Sequence, residues 1–433
     1  MLLVYSHKPS ARFTYIADFL FKNLCGFEIN YTNNQEEFIS YTGAKLSYNE
    51  VGLQSEINIT PHTLLFEKGI KPQNISLSTW YETPVIFKNA NTQVPFDIFA
   101  ASFFLISRYE EYLPHIADNY NRFEADSSLA FQNNFLHLPV INLWAAELKK
   151  LILAKHPDLK HTENTYTYIS TIDVDNAWAF KNKGVMRTTG AFIKAFAKQK
   201  FTDIKERALT LLGVKHDPYD TYEYLLEIQK KYKLSMIYFF LLGNYGVNDK
   251  NISANNPKFQ ALIKHLGDYA KTGIHPSFGS NENAQQVRVE VNRLNNITHR
   301  NTSKSRQHFL KLNLPETYKN LINCGIQEDY TMGFASKAGF RASVCSPFKW
   351  YDLDADEETS LTVYPFCVMD GTLKTYMHLN QKQAIEKCAE LIAQIKKVNG
   401  TCITLWHNET LSNWRDWQDW QQVYEEVVKL AAN

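Results

Sequence analysis

TYTYISTIDVDNAWAF, residues Thr165–Phe180, decides how the rest of the chain is read. Tyr166, Tyr168, Ser170 and Ile172 recur with the period of two that marks a β-strand. The run ends on two carboxylates, Asp173 and Asp175. Catalytic groups of α/β folds sit where strands end. Two aspartates one residue apart repel each other, so a useful arrangement makes one a metal ligand and leaves the other as a base. The plainer alternative is a capped strand end, because Asp and Asn also open turns and helices.

Outward from this stretch the chain divides. After Tyr166 strand-like and helix-like runs alternate: helix 221–232 before strand 235–242, helix 257–272 before Gly273-Ile-His-Pro-Ser, helix 285–297 before Gln307-His-Phe-Leu. Helix 316–324 then precedes Tyr330-Thr-Met-Gly, and helix 381–398 precedes Cys402-Ile-Thr-Leu-Trp-His. Repeated βα units of this kind predict a parallel sheet with helices outside, and five or more in succession favour a barrel. Before Tyr166 the pattern is looser. A strand at 2–5 and a helix at 12–24 are followed by short strand-like pieces at 27–31, 45–48 and 84–87, then helices at 96–113 and 141–155. In the first of those two helices Arg108, Glu110 and Glu111 read as a solvated or paired surface. The polar stretch 156–164 is the expected linker, giving an α/β N-terminal domain at 1–163 and a (β/α) barrel domain at 164–433.

Composition excludes several classes. Forty-six basic residues against 45 acidic ones leave a net charge of +1, which makes no electrostatic case for nucleic acid or an anionic membrane surface. No run of apolar residues is long enough to span a bilayer. The opening Met1-Leu-Leu-Val-Tyr reads directly as a strand, without the basic and apolar regions of a secretion signal, so a cytoplasmic setting is expected. Six scattered cysteines without a C-x-x-C pair read as reduced core thiols.

The polar residues at the expected strand ends are Asp173 and Asp175, His275, Arg306 with His308, Asp329, and His407; the strand ending at Leu242 alone lacks one. Each has a dull explanation singly, as a turn histidine or a surface pair. Together they describe a barrel-mouth site. Asp175 and His275 suit Zn²⁺ or another borderline divalent ion with an open position. Asp173 would take a proton from water, His407 would protonate a leaving nitrogen, and Arg306 or Asp329 would fix those two.

Thr171-Ile-Asp-Val-Asp, Gly273-Ile-His-Pro-Ser, Ser305-Arg-Gln-His-Phe, Asp329-Tyr-Thr followed by Gly339-Phe-Arg, and Leu405-Trp-His stand in the order of five motifs. In this the chain, from about Thr165 to Asn433, resembles the polysaccharide deacetylases (carbohydrate esterase family 4, the NodB-homology domain). The resemblance implies a distorted barrel, usually of seven strands, and metal-dependent removal of an N- or O-acetyl group from a saccharide or an activated sugar precursor. The metal it implies is most often Zn²⁺, with Co²⁺, Ni²⁺ or Mn²⁺ as substitutes. By resemblance Asp173 is the base, Asp175 and His275 are metal ligands, Arg306 holds the base, and His407 is the acid. Asp329 is matched to the aspartate that orients that acid, with Asp370 in Met369-Asp-Gly-Thr as a substitute. The first half, with Ser107-Arg-Tyr-Glu-Glu-Tyr, resembles the N-terminal extension of a Bacteroidetes-like branch of these bacterial proteins.

One position departs from the pattern. The second metal histidine is expected four residues after His275, where Gly279 stands. Ser277, Ser280, Asn281 or a histidine from elsewhere, such as His308, would have to complete the shell, because catalytic zinc normally has three protein ligands. Two rivals to a sugar deacetylase follow: a catalytically silent barrel that binds glycan or a partner enzyme, and a metal-dependent amidohydrolase for a non-sugar acyl amide. Trp414, Trp417 and Trp420 form a possible sugar platform, although such spacing more often builds core. The Lys-rich insertion 181–215 reads as partly irregular and solvated, or as a cover over the pocket for an anionic substrate.

Overall fold

The computed structural model describes residues 1–55, 57–89 and 93–433. Its first half holds a small parallel sheet of β1 (Leu2–Ser6), β2 (Ile29–Thr32), β3 (Lys45–Tyr48) and β4 (Ile57–Ile59), in the order β2-β1-β3-β4. A hairpin of β5 (Ser78–Trp80) and β6 (Thr83–Val85) stands beside it. The helix expected at 96–113 is shorter, Ile98–Ile106, and every residue in it is buried. Its N-terminus is fixed by Asp97, whose carboxylate accepts from the amides of Phe99 and Ala100, both at 3.0 Å. It stops where Arg108 adopts a left-handed conformation, φ 55°, and the chain continues as a tighter turn.

That turn corrects the reading of Arg108 and Glu111 as surface groups. Both are buried. Glu111 takes hydrogen bonds from Arg108 Nε at 2.7 Å and from Arg341 Nε and Nη2 at 2.9 and 2.7 Å, and Arg341 belongs to the other half of the chain. Burial alone would raise the Glu111 pKa; Arg341 and Arg108 outweigh it and bring the group down to about 2.

The second half is built on one sheet of nine strands: β7 (Thr167–Val174), β8 (Ser235–Leu241), β9 (Lys271–His275), β10 (Lys304–Ser305), β11 (Glu328–Asp329), β12 (Phe348–Asp352), β13 (Glu357–Val363), β14 (Val368–Met369) and β15 (Thr401–His407). Their order is β12-β13-β11-β10-β9-β8-β7-β15-β14, parallel throughout except for the β12–β13 pair. The apolar run Met236–Leu241 in β8 is buried along its length, as expected for a strand covered on both faces. Helices return between strands and carry their own start signals. Asn256 caps Pro257–Tyr269 with Pro at the first position, and Asn380 with Gln383 forms a capping box on Gln381–Lys397.

The expectation of a closed barrel is corrected here. Among the described residues β12 and β14, at the two ends of the strand order, are not paired with each other. The physical reason is the antiparallel β12–β13 hairpin, which the sequence reading missed and which ends the parallel run. The helix Ala11–Asp18 of the first half lies against that hairpin. Tyr15 Oη donates to the Lys349 carbonyl at 2.7 Å, and Arg12 Nε meets Asp356 Oδ1 at 2.7 Å. An edge strand covered in this way no longer offers itself to another sheet. The two halves share one continuous apolar core.

Candidate metal and acid–base site

Parallel strands side by side place their C-terminal ends on one edge, and the register decides which side chains meet there. His407 at the end of β15 pairs with Asp173 on β7, while His275 ends β9 beside Leu241 on β8. Arg306 follows β10, its amide bonded to the Ile274 carbonyl at 3.1 Å. Of the residues singled out in the sequence, Asp173, Asp175, His275, His308 and His407 thereby line one cavity of about 170 Å³, with Leu310, Ala335, Met369 and Leu405 as its apolar walls. A larger groove of about 500 Å³ at the opposite edge, near Ser235, Lys271 and Lys304, gathers none of these groups.

Asp173 is 1% exposed. Its Oδ1 accepts from Arg306 Nη1 at 3.0 Å; the same nitrogen reaches Thr171 Oγ1 at 2.7 Å, and Nε donates to the Tyr330 carbonyl at 2.9 Å. The guanidinium lies 4.7 Å from the ring centre of Phe239. Arg306 is thus a fixed, desolvated cation that leaves Asp173 Oδ2 to face the cavity, 3.7 Å from His275 Nε2. Removing one partner of such a buried pair typically costs about 3–5 kcal/mol.

Asp175, His275 and His308 offer ligand atoms that all lie within 4.8 Å of one another. Asp175 Oδ1 is 3.2 Å from His275 Nε2, and Oδ2 is 3.5 Å from His308 Nε2. Each ring is held from behind through Nδ1. That of His275 donates to the Arg306 carbonyl at 2.5 Å, and that of His308 donates to Asp249 Oδ1 at 2.8 Å. Both Nε2 atoms therefore point inward, the tautomer a metal site requires. Asp175 Oδ1 is buried with no hydrogen-bond partner, an acceptor left over for a cation. Burial would raise the Asp175 pKa, yet His308 and His275 hold it well below the usual carboxylate range. Burial would lower His308, and Asp175 with Asp249 push it up to about 9. A proton and a metal ion compete for that nitrogen. One carboxylate and two imidazoles are a set suited to zinc and its neighbours, so the residues present fit a divalent ion.

The place left by Gly279 is accounted for. Its amide donates to Asp249 Oδ2 at 3.2 Å, beside the Phe278 amide on Oδ1 at 2.9 Å. Asp249 in turn holds His308, so the second imidazole comes from the loop after β10. Asp249 itself lies on the loop after β8, the strand that ended without an ionisable group. Nothing in its sequence neighbourhood, Gly-Val-Asn-Asp-Lys, singles it out.

His407 is oriented by Asp370. Nδ1 donates to Asp370 Oδ1 at 2.8 Å, and the His407 amide donates to Oδ2 at 2.7 Å. Asp329 is corrected in this respect. Its carboxylate accepts from Ser305 Oγ at 2.7 Å and from the amide and hydroxyl of Thr331, on a strand separated from β15 by four others. β14, by contrast, pairs directly with β15, which brings Asp370 alongside. Burial would lower the His407 pKa, but Asp370, then Asp175 and Asp173, raise it well above the ordinary value. Its Nε2 stands 3.9 Å from Asp175 Oδ2.

Two cavity residues carried no signal in the sequence. Arg122, from the first half, donates through Nη1 to the Phe309 carbonyl at 2.6 Å and is paired with Asp118 at 2.6 Å. Phe309 and Leu310 both have left-handed backbones, φ 60° and 55°, so Arg122 braces a strained turn immediately after His308. Tyr376 completes the mouth. The three tryptophans form no common platform: Trp417 packs edge-on against the buried Trp420, while Trp414 packs on Phe180 and Tyr219.

Residues 2–157 match a family of unknown function, DUF7033. No curated protein matches the chain. Among solved structures, the chain is similar to a candidate polysaccharide deacetylase from Mycobacterium smegmatis, with 15% identity over 63% of this chain and 85% of that one, at a TM-score of 0.40. It is also similar to a polysaccharide deacetylase from Bacillus cereus, with 10% identity over 61% and 86% of the two chains and a TM-score of 0.30. A variant of a pseudoenzyme of carbohydrate esterase family 4 shares 10% identity over 62% and 64%, at 0.31. Likeness at this level carries no argument about reaction or substrate.

Proposed function

We propose that the chain is a metal-dependent hydrolase that removes an acetyl group from the nitrogen, or an oxygen, of a saccharide or saccharide precursor. The observation that carries the reaction class is the inward convergence of Asp175, His275 and His308, each imidazole pinned from behind and one carboxylate oxygen left without a donor. The saccharide part of the reading rests on the order of the five sequence motifs.

Asp175, His275 and His308 would hold the ion, Zn²⁺ in the first instance. When bound, such an ion supplies polarisation of the acyl carbonyl and acidifies a water molecule. Asp173 Oδ2, with Oδ1 held by Arg306, accepts the proton that this water loses as its oxygen bonds to the acyl carbon. His407, protonated on Nε2 and held by Asp370, gives that proton's counterpart to the leaving nitrogen or oxygen as the C–N or C–O bond breaks. One water is consumed, and acetate and the free amine or alcohol are released. The apolar walls, Leu310, Ala335, Met369 and Leu405, suit the methyl of an acetyl group.

The test is metal content after gentle purification together with acetate release from N-acetyl sugars, nucleotide sugars and simple acyl amides. The wild type should hold about one divalent ion per chain and lose it in Asp175→Ala, His275→Ala and His308→Ala. A wild type with no more metal than these variants would leave a silent sugar-binding scaffold instead. Turnover of acyl amides with none of the sugars would turn the reading to an amidohydrolase.

A further inference from the structure

Residues 181–215, between β7 and β8, contain nine Lys or Arg and two acidic residues, a local surplus of seven against +1 for the whole chain. They form two helices, Val185–Ala197 and Phe201–Leu211, where the sequence reading expected a partly irregular segment. The pair is fastened to the rim that carries the site. Asp217 accepts from the amides of Ala179, Phe180 and Lys181, and Arg187 donates to the carbonyls of Lys250 and Asn251. Both acidic residues are engaged inward: Glu206 accepts from Trp414 Nε1 at 2.9 Å, and Asp203 pairs with Arg415 at 2.6 Å. Trp414 and Arg415 belong to the loop that leaves His407.

What remains outward is basic and apolar. Met186, Ile193 and Phe196 share one side of the first helix by their spacing and are 90%, 65% and 69% exposed. Phe201, Leu212 and Val214 continue the exposed apolar surface. Lys194, Lys198, Lys200 and Lys205 are exposed around it. A soluble helix turns its apolar stripe toward the core; this one turns it to the outside, with lysines at the border, the pattern of a helix that lies in a lipid interface. Among the described residues no helix is long and apolar enough to cross a membrane.

We infer that the outer face of this helical pair docks on an anionic lipid bilayer, the apolar side chains entering the headgroup boundary and the lysines meeting lipid phosphates. Charge decides among occupants. A second copy would bring an equal positive surplus against this one, whereas anionic lipids attract juxtaposed lysines at about 1 kcal/mol each. The docked pair is fastened to loops adjoining those that carry Asp175 and His407.

The full chain should co-sediment with vesicles of phosphatidylcholine and phosphatidylglycerol, and remain in the supernatant with phosphatidylcholine alone or in high salt. Met186→Ser/Ile193→Ser/Phe196→Ser should weaken binding by about tenfold or more, and Lys194→Glu/Lys198→Glu by a similar factor. Both sets are solvent-exposed, so circular dichroism and metal content should match the wild type. Equal partition onto both vesicle types, or absence from both, would overturn the proposal. So would a dimer in light scattering that the triple variant dissolves, which would assign the face to a second copy. Vesicle binding is read without turnover, so its outcome is separable from that of the hydrolase reading.

Discussion

Two buried ionic clusters in this molecule are made of similar groups and do different things. Around Glu111, one carboxylate takes three hydrogen bonds from Arg108 and Arg341, and neither of its oxygens is left without a donor. Around Asp175, two imidazole nitrogens and a carboxylate converge on one point, and one carboxylate oxygen is left without a hydrogen-bond partner. The first cluster satisfies its carboxylate with protein donors alone and ties the two halves together. The second gathers ligand atoms around a point that a proton or a cation can occupy, and its geometry is held by groups behind it. Burial and charge alone do not distinguish a staple from a site; the balance of donors and acceptors does.

The sharpest way to test that contrast lies just beside the acceptor cluster. Asp173→Asn should lower kcat/KM for the acetylated substrate by about 10²–10⁴-fold while leaving bound metal unchanged in elemental analysis. Metal loss in this variant would mean that Asp173 belongs to the coordinating set. Next in size is the Glu111 cluster. Glu111→Gln should destabilise the fold by about 3–5 kcal/mol in denaturant unfolding, again with metal retained per folded chain.

The acid limb gives the sign. Glu111 is depressed from 4.5 to about 2, so its contribution is fully present above about pH 4.5 and is lost as pH falls through about 2. The Gln variant should lack that part of the acid transition; an unchanged acid profile would show that the pair contributes nothing there. The smallest expected effect is Asp249→Asn, which should weaken metal affinity by about 10–100-fold with little change in unfolding midpoint. A variant with unaltered affinity would remove Asp249 from the support of His308.

Much of the second half was legible because parallel strands are punctuated by their own ends. Asp173, Asp175 and His407 each sit one step from a recognisable apolar run, His275 ends one shorter, more polar strand and Arg306 comes just after another, and their meeting follows from strands being neighbours. What stayed hidden depends on which neighbours. Asp329 and Asp370 both stand at strand ends, and only the pairing of β14 with β15 decides that Asp370 lies beside His407. His308 could be named among several candidates, but its selection depends on Asp249, a residue in a polar loop with no periodicity to mark it. Arg122 is further still, since its role is a bond to a carbonyl in the other half. The Lys-rich segment 181–215 was legible as such, but its two helices and their outward apolar side chains were not, because its few apolar residues were outweighed by lysines in the reading. The sheet's open edge was missed with the β12–β13 hairpin, whose strands do not follow the βα alternation around them.

Asp249 spans a glycine amide on one loop and an imidazole on another while donating no ligand of its own. The segment between Leu241 and Pro257 therefore behaves as a keystone: an insertion or deletion there would let the His308 ring turn away from Asp175 and His275 without altering any of those three residues.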